Sequence, residues 1–390
     1  MQQCNARDAV LVACGRSPLT RANKGGLAGT HPVEYGAQTL RGVLARLPGL
    51  DPARIDDIVV GCATPEKNTG YNVARLIAQR AGLPDEVPAQ TVNRFCSSGL
   101  QSLETAANAI RSGAMDIVVA GGIEQMTGMA MGLPKEYWDA ALTERCPDAY
   151  LSMGMTAENV ARQFHIARAD MDAMAVESHR RAAAAQAAGY FDEEIIPITV
   201  RNGAEETVLS RDDGIRPNTT METLAGLKPC FLEGGSVTAA TSSQMTDGAA
   251  FAVLMARETA EKLGCTPIAA FRAFAVRGVP AGIMGIGPIA AVPLVMAKSG
   301  LTIADMDVIE LNEAFAAQAL ACIRELKLPM DKVNPNGGAM ALGHPMGATG
   351  TVLTCKALSQ LRRIKGRYAL VTMCIGGGMG AAGIWELERA

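Results

Sequence analysis

The chain has 390 residues, 48% of them apolar and 19% charged, with a formal net charge of -3. That length suggests two or three domains' worth of chain around a large buried core, and the composition excludes a disordered polymer. Acids and bases are spread along the chain with no basic block that could track a phosphate backbone, so nucleic acid is not an expected partner.

Met1 to Asp8 is polar and leads straight into the first strand candidate, 9–13. No charged leader precedes a long apolar stretch. No window is expected to approach the roughly 20 apolar residues of a bilayer span, so the expectation is a cytoplasmic protein. Helix patterns follow at 33–47, 73–81 and 99–112, alternating with short β-branched runs at 58–60 and 117–120. Between 121 and 246 the character changes: methionine, glycine and charge increase, helices are expected at 157–163 and 168–188, and 201–220 reads as a hairpin and loop. The alternation then resumes with helices at 257–263 and 313–326 and strands at 308–311 and 369–373. Continuous apolar strands between helices argue for an α/β fold with strands buried on both faces.

The two ends of the chain resemble each other. Val92-Asn93 ends a strand before Cys96, a helix, and a strand ending in Gly121-Gly122. Val333-Asn334 precedes the glycine-rich segment 337–350, a helical stretch, and a strand ending in Cys374 before Gly376-Gly377-Gly378. The same order of parts twice suggests a duplicated α/β unit carrying an insertion.

The ten cysteines form no CxxC pair and none stands at zinc spacing beside a histidine, so neither a disulfide framework nor a metal site is expected. Cys96 opens a helix in Asn93-Arg94-Phe95-Cys96-Ser97-Ser98-Gly99. A helix N-terminus stabilises a thiolate, and small neighbours admit a ligand. The bland alternative is a small buried cysteine, and Cys96 taken alone leaves both readings open. Of four histidines, His165 and His179 lie in polar helical sequence and read as solvated, and His31 lies in a turn. His344, enclosed by Gly343, Pro345 and Gly347, has the setting of a positioned base. Cys374 ends a strand ahead of a glycine run that can bring backbone N–H groups to a ligand. Gly378, Gly380 and Gly383 spell GxGxxG, but the chain ends too soon for the helix, strand and acid of a dinucleotide site. Asn312 follows a strand; read singly, it is the N-cap of the next helix.

Jointly, these residues sit at strand ends and glycine turns, where ligands bind in such folds. A cysteine with a histidine is an activated nucleophile, and a second cysteine adds an acid or base. The segments 93–100, 121–126, 153–161, 312–316, 337–350 and 374–380 resemble, in order, those of the thiolase family, over nearly the whole chain. The resemblance implies two similar βαβαβαββ halves in a layered α/β sandwich with an inserted loop domain. In this chain the halves would be 1–120 plus 247–267 and 268–390, with the loop domain at 121–246 binding coenzyme A. It implies that Cys96 carries the acyl group as a thioester, that His344 activates it, and that Cys374 exchanges a proton with the α-carbon. Asn312 would hold a water that, with His344, binds the thioester oxygen, and the N–H groups of Cys96 and Gly376 would form a second oxyanion hole. Ser243 would lie near the pantetheine arm, Arg216 near the nucleotide end, and Met153 among the residues binding coenzyme A.

Coenzyme A would be a substrate, with no permanent cofactor, no metal and no membrane span, in a homodimer or homotetramer. The reaction implied is cleavage of a 3-ketoacyl-CoA, as in fatty acid β-oxidation, or its reverse. Arg211 to Pro217, Met284 to Pro288, and Ser152 where the biosynthetic acetoacetyl-CoA type has histidine, resemble the degradative type. Phe95 and Ala240-Thr241 depart from the family's usual residues. A non-catalytic relative binding CoA or lipid, a β-ketoacyl synthase and a Cys–His hydrolase are the rival readings. The first is opposed by the complete set Cys96, Asn312, His344 and Cys374, the second by Cys374. The third requires water in place of coenzyme A as acceptor.

Overall fold

The computed structural model describes residues 5–130 and 132–388; Cys4 lies outside them. The strands in chain order are β1 (Ala9–Arg16), β2 (Thr20–Arg21), β3 (Asp57–Gly61), β4 (Ala89–Val92), β5 (Ile117–Glu124), β6 (Ile198–Asn202) and β7 (Glu205–Leu209). They continue with β8 (Thr246–Ala256), β9 (Ala269–Gly278), β10 (Val308–Leu311), β11 (Tyr368–Ile375) and β12 (Met379–Leu387). The main sheet path runs β10-β11-β12-β9-β1-β8-β5-β3-β4. β4, β3 and β5 are mutually parallel, and β8 and β1 follow antiparallel. In the second half an isolated parallel bridge joins Val333 to Ile309 of β10. β10 and β11 are parallel, and β12 and β9 follow antiparallel. The order of parts is the same in both halves, as the sequence similarity between them predicts. A short pairing of Val10 and Leu11 with Ala270 and Ala269 joins the two units.

Layering follows from where apolar side chains can be covered. Helices Ser98–Arg111 and Met346–Ile364 lie between the two sheet units, their Leu100, Leu103, Ile110, Leu353 and Leu358 packing with Leu11 and Val118 of one and Val371 and Trp385 of the other. Helices Pro32–Leu44 and Val73–Ala81 cover the outer face of the first unit, and Gly287–Ser299 and Ala316–Leu326 that of the second. The two central helices touch backbone to backbone. A methyl at Gly99 would stand 2.8 Å from the Gly347 carbonyl, and one at Gly350 would stand 2.2 Å from the Leu100 nitrogen. Overpacking of this kind costs about 1–3 kcal/mol. The glycines therefore bring the heads of both helices, with Cys96 and His344, to one place.

Residues between β5 and β8 leave the first unit and return to it, whereas β11 and β12 are joined by the tight turn Gly376–Gly378, with φ +79° at Gly377 and +88° at Gly378. The departing segment contains helices Met153–Gln163 and Arg168–Ala187 and the expected hairpin, β6 with β7. It is clipped back by buried Arg16, whose guanidinium binds Glu194 at 2.8 Å and Asp212 at 2.7 and 2.9 Å.

Three expectations are corrected. Ala281–Ser299 reaches the length and hydropathy of a membrane span, but half of its most apolar stretch is buried in the fold. Within it, Gly287 packs on β12 so closely that a methyl would stand 2.1 Å from the Met379 carbonyl. His179 is not solvated: it is buried in helix Arg168–Ala187, and its Nδ1 accepts the Arg216 N–H at 3.1 Å. Finally, β8, β9 and β12 are strands that composition did not reveal. Gly380 and Gly383 lie inside β12, so no helix follows them.

Candidate active site

Cys96 sits in a single 3-10 turn, Phe95–Ser97, leading into helix Ser98–Arg111. The turn is fixed locally: the Phe95 N–H donates to Asn93 Oδ1 at 2.8 Å, and Ser98 Oγ accepts the Arg94 N–H at 2.9 Å. Phe95 takes φ +42°, a left-handed conformation unusual for a bulky residue and costing of order 1–3 kcal/mol. Burial pushes the Cys96 thiol up to about 11, opposed by the backbone N–H groups of Gly376 and of Cys96 itself and reinforced by the Glu124 carboxylate. Those two N–H groups point at the sulfur. They therefore stand beside any oxyanion formed on a carbon bonded to it, where one such donor is worth about 2.7–4 kcal/mol to a transition state.

His344 precedes helix Met346–Ile364 and is buried. Its N–H donates to the Gln244 carbonyl at 3.0 Å, and Gly343 before it has φ +100°. Its Nδ1 lies 2.6 Å from Thr349 Oγ1, which also donates to the Pro345 carbonyl at 3.1 Å. With the hydroxyl proton so used, Nδ1–H must donate to Oγ1, leaving Nε2 as the free base; this tautomer is assigned from the network. Nε2 faces Asn312 Nδ2 at 3.3 Å. Burial holds the imidazole down at about 4, so it is neutral at physiological pH. Thr349→Val keeps the shape and removes the acceptor for Nδ1–H. We expect kcat to fall about 10–100-fold, the scale seen when metal-binding histidines lose the partner that orients the ring, with KM little changed; unchanged kcat in steady-state assays would show that the ring needs no such anchor.

Asn312 follows β10 directly, and the helix begins only at Ala316 with Phe315 as its cap. The N-cap reading is thereby corrected: the amide faces His344 through Nδ2, and its buried Oδ1 accepts no hydrogen bond from the protein. Cys374 is fully buried near the end of β11, and burial together with the neighbouring Cys96 and Cys322 raises its thiol well above the ordinary range. Both thiols are thus protonated at rest, beside a neutral imidazole. Met153 opens its helix over the glycine turn, its sulfur 3.4 Å from where a methyl on Gly376 would stand. Ser152 caps that helix through its hydroxyl.

Ser243 is half-buried one residue before Gln244, its N–H on the Ala314 carbonyl at 2.9 Å. Arg216 is exposed on the loop after β7, held by its backbone on His179 and not brought to the cysteines. Thr241, one of the departures noted above, is buried and exchanges hydrogen bonds with Thr238. Sequence reasoning missed Thr349, whose signal was a hydroxyl in the first turn after the histidine, and Glu124, a lone acid closing an apolar strand.

His179, like His344, is held down to about 4, chiefly by burial and then by Arg216. A histidine with a lowered folded pKa stabilises the fold above its unfolded value of about 6.5 and loses that contribution as pH falls toward 4. Denaturation midpoints should therefore drop between pH 6.5 and 4. In His179→Gln the proton uptake on unfolding in that window should be smaller by roughly one; an unaltered pH slope would contradict the buried neutral state.

Two thiols meeting under backbone N–H groups, at the junction of two like halves, define a class: a cysteine acyltransferase. Residues 9–258 match the thiolase N-terminal domain and residues 265–387 the thiolase C-terminal domain. The chain is 48% identical over 390 aligned residues to the 3-ketoacyl-CoA thiolase of Bacillus subtilis (strain 168), covering 98% of this chain and 100% of that one. It is 44% identical to the peroxisomal 3-ketoacyl-CoA thiolase of Homo sapiens, covering 98% and 92%. The crystal structure of the Bacillus anthracis acetyl-CoA acetyltransferase superposes with a TM-score of 0.91 at 38% identity, covering 98% of this chain and 99% of that one. The chain belongs to the thiolase family.

Proposed function

We propose that this thiolase is degradative: it cleaves 3-ketoacyl-CoA with coenzyme A to acetyl-CoA and a shortened acyl-CoA. The observation that carries the reading is the full-length 48% identity to a bacterial 3-ketoacyl-CoA thiolase; the juxtaposition of Cys96, Gly376 and Cys374 supports the roles. His344 Nε2 takes the Cys96 proton as the sulfur attacks C3. The C2–C3 bond breaks, and Cys374 gives its proton to C2 of the departing acetyl-CoA enolate. Asn312 and His344 face the enolate oxygen, Asn312 through a water, and the N–H groups of Cys96 and Gly376 face the oxygen on C3. Coenzyme A then loses its thiol proton to the Cys374 thiolate and attacks the thioester, and Cys96 leaves as a thiolate that recovers its proton from His344. Every group returns to its starting state, and the sequence read backwards is a Claisen condensation.

Coenzyme A would lie along Met153 and Ser243 with its nucleotide toward Arg216. A cytoplasmic homodimer or homotetramer is part of the same reading. Purified protein should be assayed with coenzyme A against acetoacetyl-CoA and a medium-chain 3-ketoacyl-CoA side by side. Cleavage of both, or mainly of the longer, is expected. Cleavage of acetoacetyl-CoA alone would replace this reading with the biosynthetic type, and binding without cleavage of either would favour a non-catalytic relative.

A further inference from the structure

Glu124 is the last residue of β5, and the acyl-transfer roles above give it no task. Its side chain is fully buried, yet both carboxylate oxygens are occupied. Oε2 accepts the Ala63 N–H at 2.9 Å and the Gly347 N–H at 2.7 Å. Oε1 accepts the Thr64 N–H at 3.1 Å and also the Thr64 hydroxyl, with the Cys62 thiol at 3.7 Å. Burial pushes the Glu124 carboxyl above its ordinary value, and the hydrogen bonds from Thr64, Ala63 and Gly347 oppose that shift by favouring the ionised form. The titratable groups that feel its charge are Cys62, Cys96 and Tyr35, the last also facing Asp247, and none of them is a cation at neutral pH. A buried charge without a counterion is costly unless fixed donors replace its hydration, and here they are backbone N–H groups.

Those donors lead to both halves of the site. The Ala63 carbonyl accepts from Asn93 Nδ2 at 3.1 Å, and Asn93 Oδ1 accepts the Phe95 N–H that shapes the nucleophile's turn. Ala63 also packs with Cys96, Met126 and Met346 in one apolar cluster. On the other side, Gly347 is the second residue of helix Met346–Ile364, where N–H groups have no partner within the helix. It lies three residues past His344 and two before Thr349. A methyl on Gly347 would stand 2.7 Å from the Cys62 Cα and 2.6 Å from the Ile123 carbonyl, so the contact between halves is already as close as it can be.

We infer that Glu124 is a positioning residue for acyl transfer, setting the nucleophile against the base by holding Ala63 and Gly347 on one carboxylate. The inference rests on the reading of Cys96 as nucleophile and His344 as base. The same negative charge also disfavours the Cys96 thiolate. Glu124 therefore promotes turnover through geometry while lowering the intrinsic reactivity of the free thiol, and those two effects can be separated.

The test compares full-length Glu124→Gln and Glu124→Asp with the native enzyme, alongside Cys96→Ala. Glutamine keeps one acceptor oxygen and turns an NH2 group toward N–H donors. A misplacement of order 1 Å costs about 100-fold in rate. We expect kcat for ketoacyl-CoA thiolysis to fall about that much in Glu124→Gln, with KM within about threefold. Alkylation of Cys96 by iodoacetamide should meanwhile become faster at pH 8, with its midpoint moved to lower pH. In Glu124→Asp, which keeps the charge on a shorter arm, kcat should fall while the alkylation midpoint stays near native.

Turnover of Glu124→Gln within about threefold of native would overturn the inference. So would a parallel loss of turnover and thiol reactivity in a folded glutamine variant, which is the mark of a purely structural role. If the glutamine variant does not fold, Glu124→Asp decides: reduced kcat with a native alkylation midpoint supports positioning, and native kcat overturns it. An acyl group found on another residue in Cys96→Ala would sink the nucleophile assignment itself. Label confined to Cys96, with full turnover in Glu124→Gln, would sink only the positioning role.

Discussion

Cys96→Ala should fold and bind CoA thioesters yet lose thiolysis by at least about 10⁴-fold, as when a nucleophile is removed from other covalent enzymes. The expectation is this strong because the described site offers no substitute at that position. Cys374, the neighbouring thiol, is fixed in β11, and burial holds it well above the ordinary range. The backbone N–H groups of residues 96 and 376 remain in the variant, so binding should survive. Incubation with labelled acetyl-CoA followed by peptide mapping should place label on Cys96 in the native enzyme and nowhere in the variant. A labelled peptide from another segment would refute the assignment.

Cys374→Ser separates the two half-reactions. Acylation from acetyl-CoA needs the nucleophile, its base and the oxyanion donors, none of which is changed, so label should still appear on Cys96. Protonation or deprotonation at the α-carbon needs a group of accessible pKa, and a buried serine hydroxyl is a far weaker acid than a thiol. Thiolysis and condensation should fall by about 10²–10⁴-fold, the usual contribution of a positioned general acid or base. Normal turnover of a ketoacyl substrate by the variant would contradict the proton role. Because His344 is held near 4 and Cys96 near 11, neither is charged in the resting enzyme across the neutral range.

How far the sequence reveals this molecule depends on how far apart the deciding partners lie. β10 and helix Val73–Ala81 match their expected bounds, because each is a short pattern flanked by clear stops. β8, β9 and β12 escaped because alanine- and glycine-rich runs have no β character of their own. Pairing on both sides makes them strands, a tertiary decision that outweighs propensity. Cys96, His344 and Cys374 stood out because glycines and element ends mark them locally. Glu124 did not, since its partner Gly347 lies 223 residues away. Taken singly, Asn312 reads as a cap because the helix after it starts later than the pattern implies, and His179 reads as solvated because the polar side of its helix is covered by the loop bearing Arg216.

The repeated strand order has a further meaning for heredity. In a pair of identical units related by a twofold axis, every side chain near the axis must meet its own copy, and no change can be made on one side alone. Fusion of two like units into one chain lifts that restriction. Corresponding positions after β4 and after the Val333 bridge here carry a thiol turn and an imidazole turn. The ends of the matching strands β5 and β11 carry a carboxylate in one half and a second thiol in the other. The division of labour between halves is therefore something that a symmetric ancestor could not have encoded, and it makes each half answerable to mutations in the other.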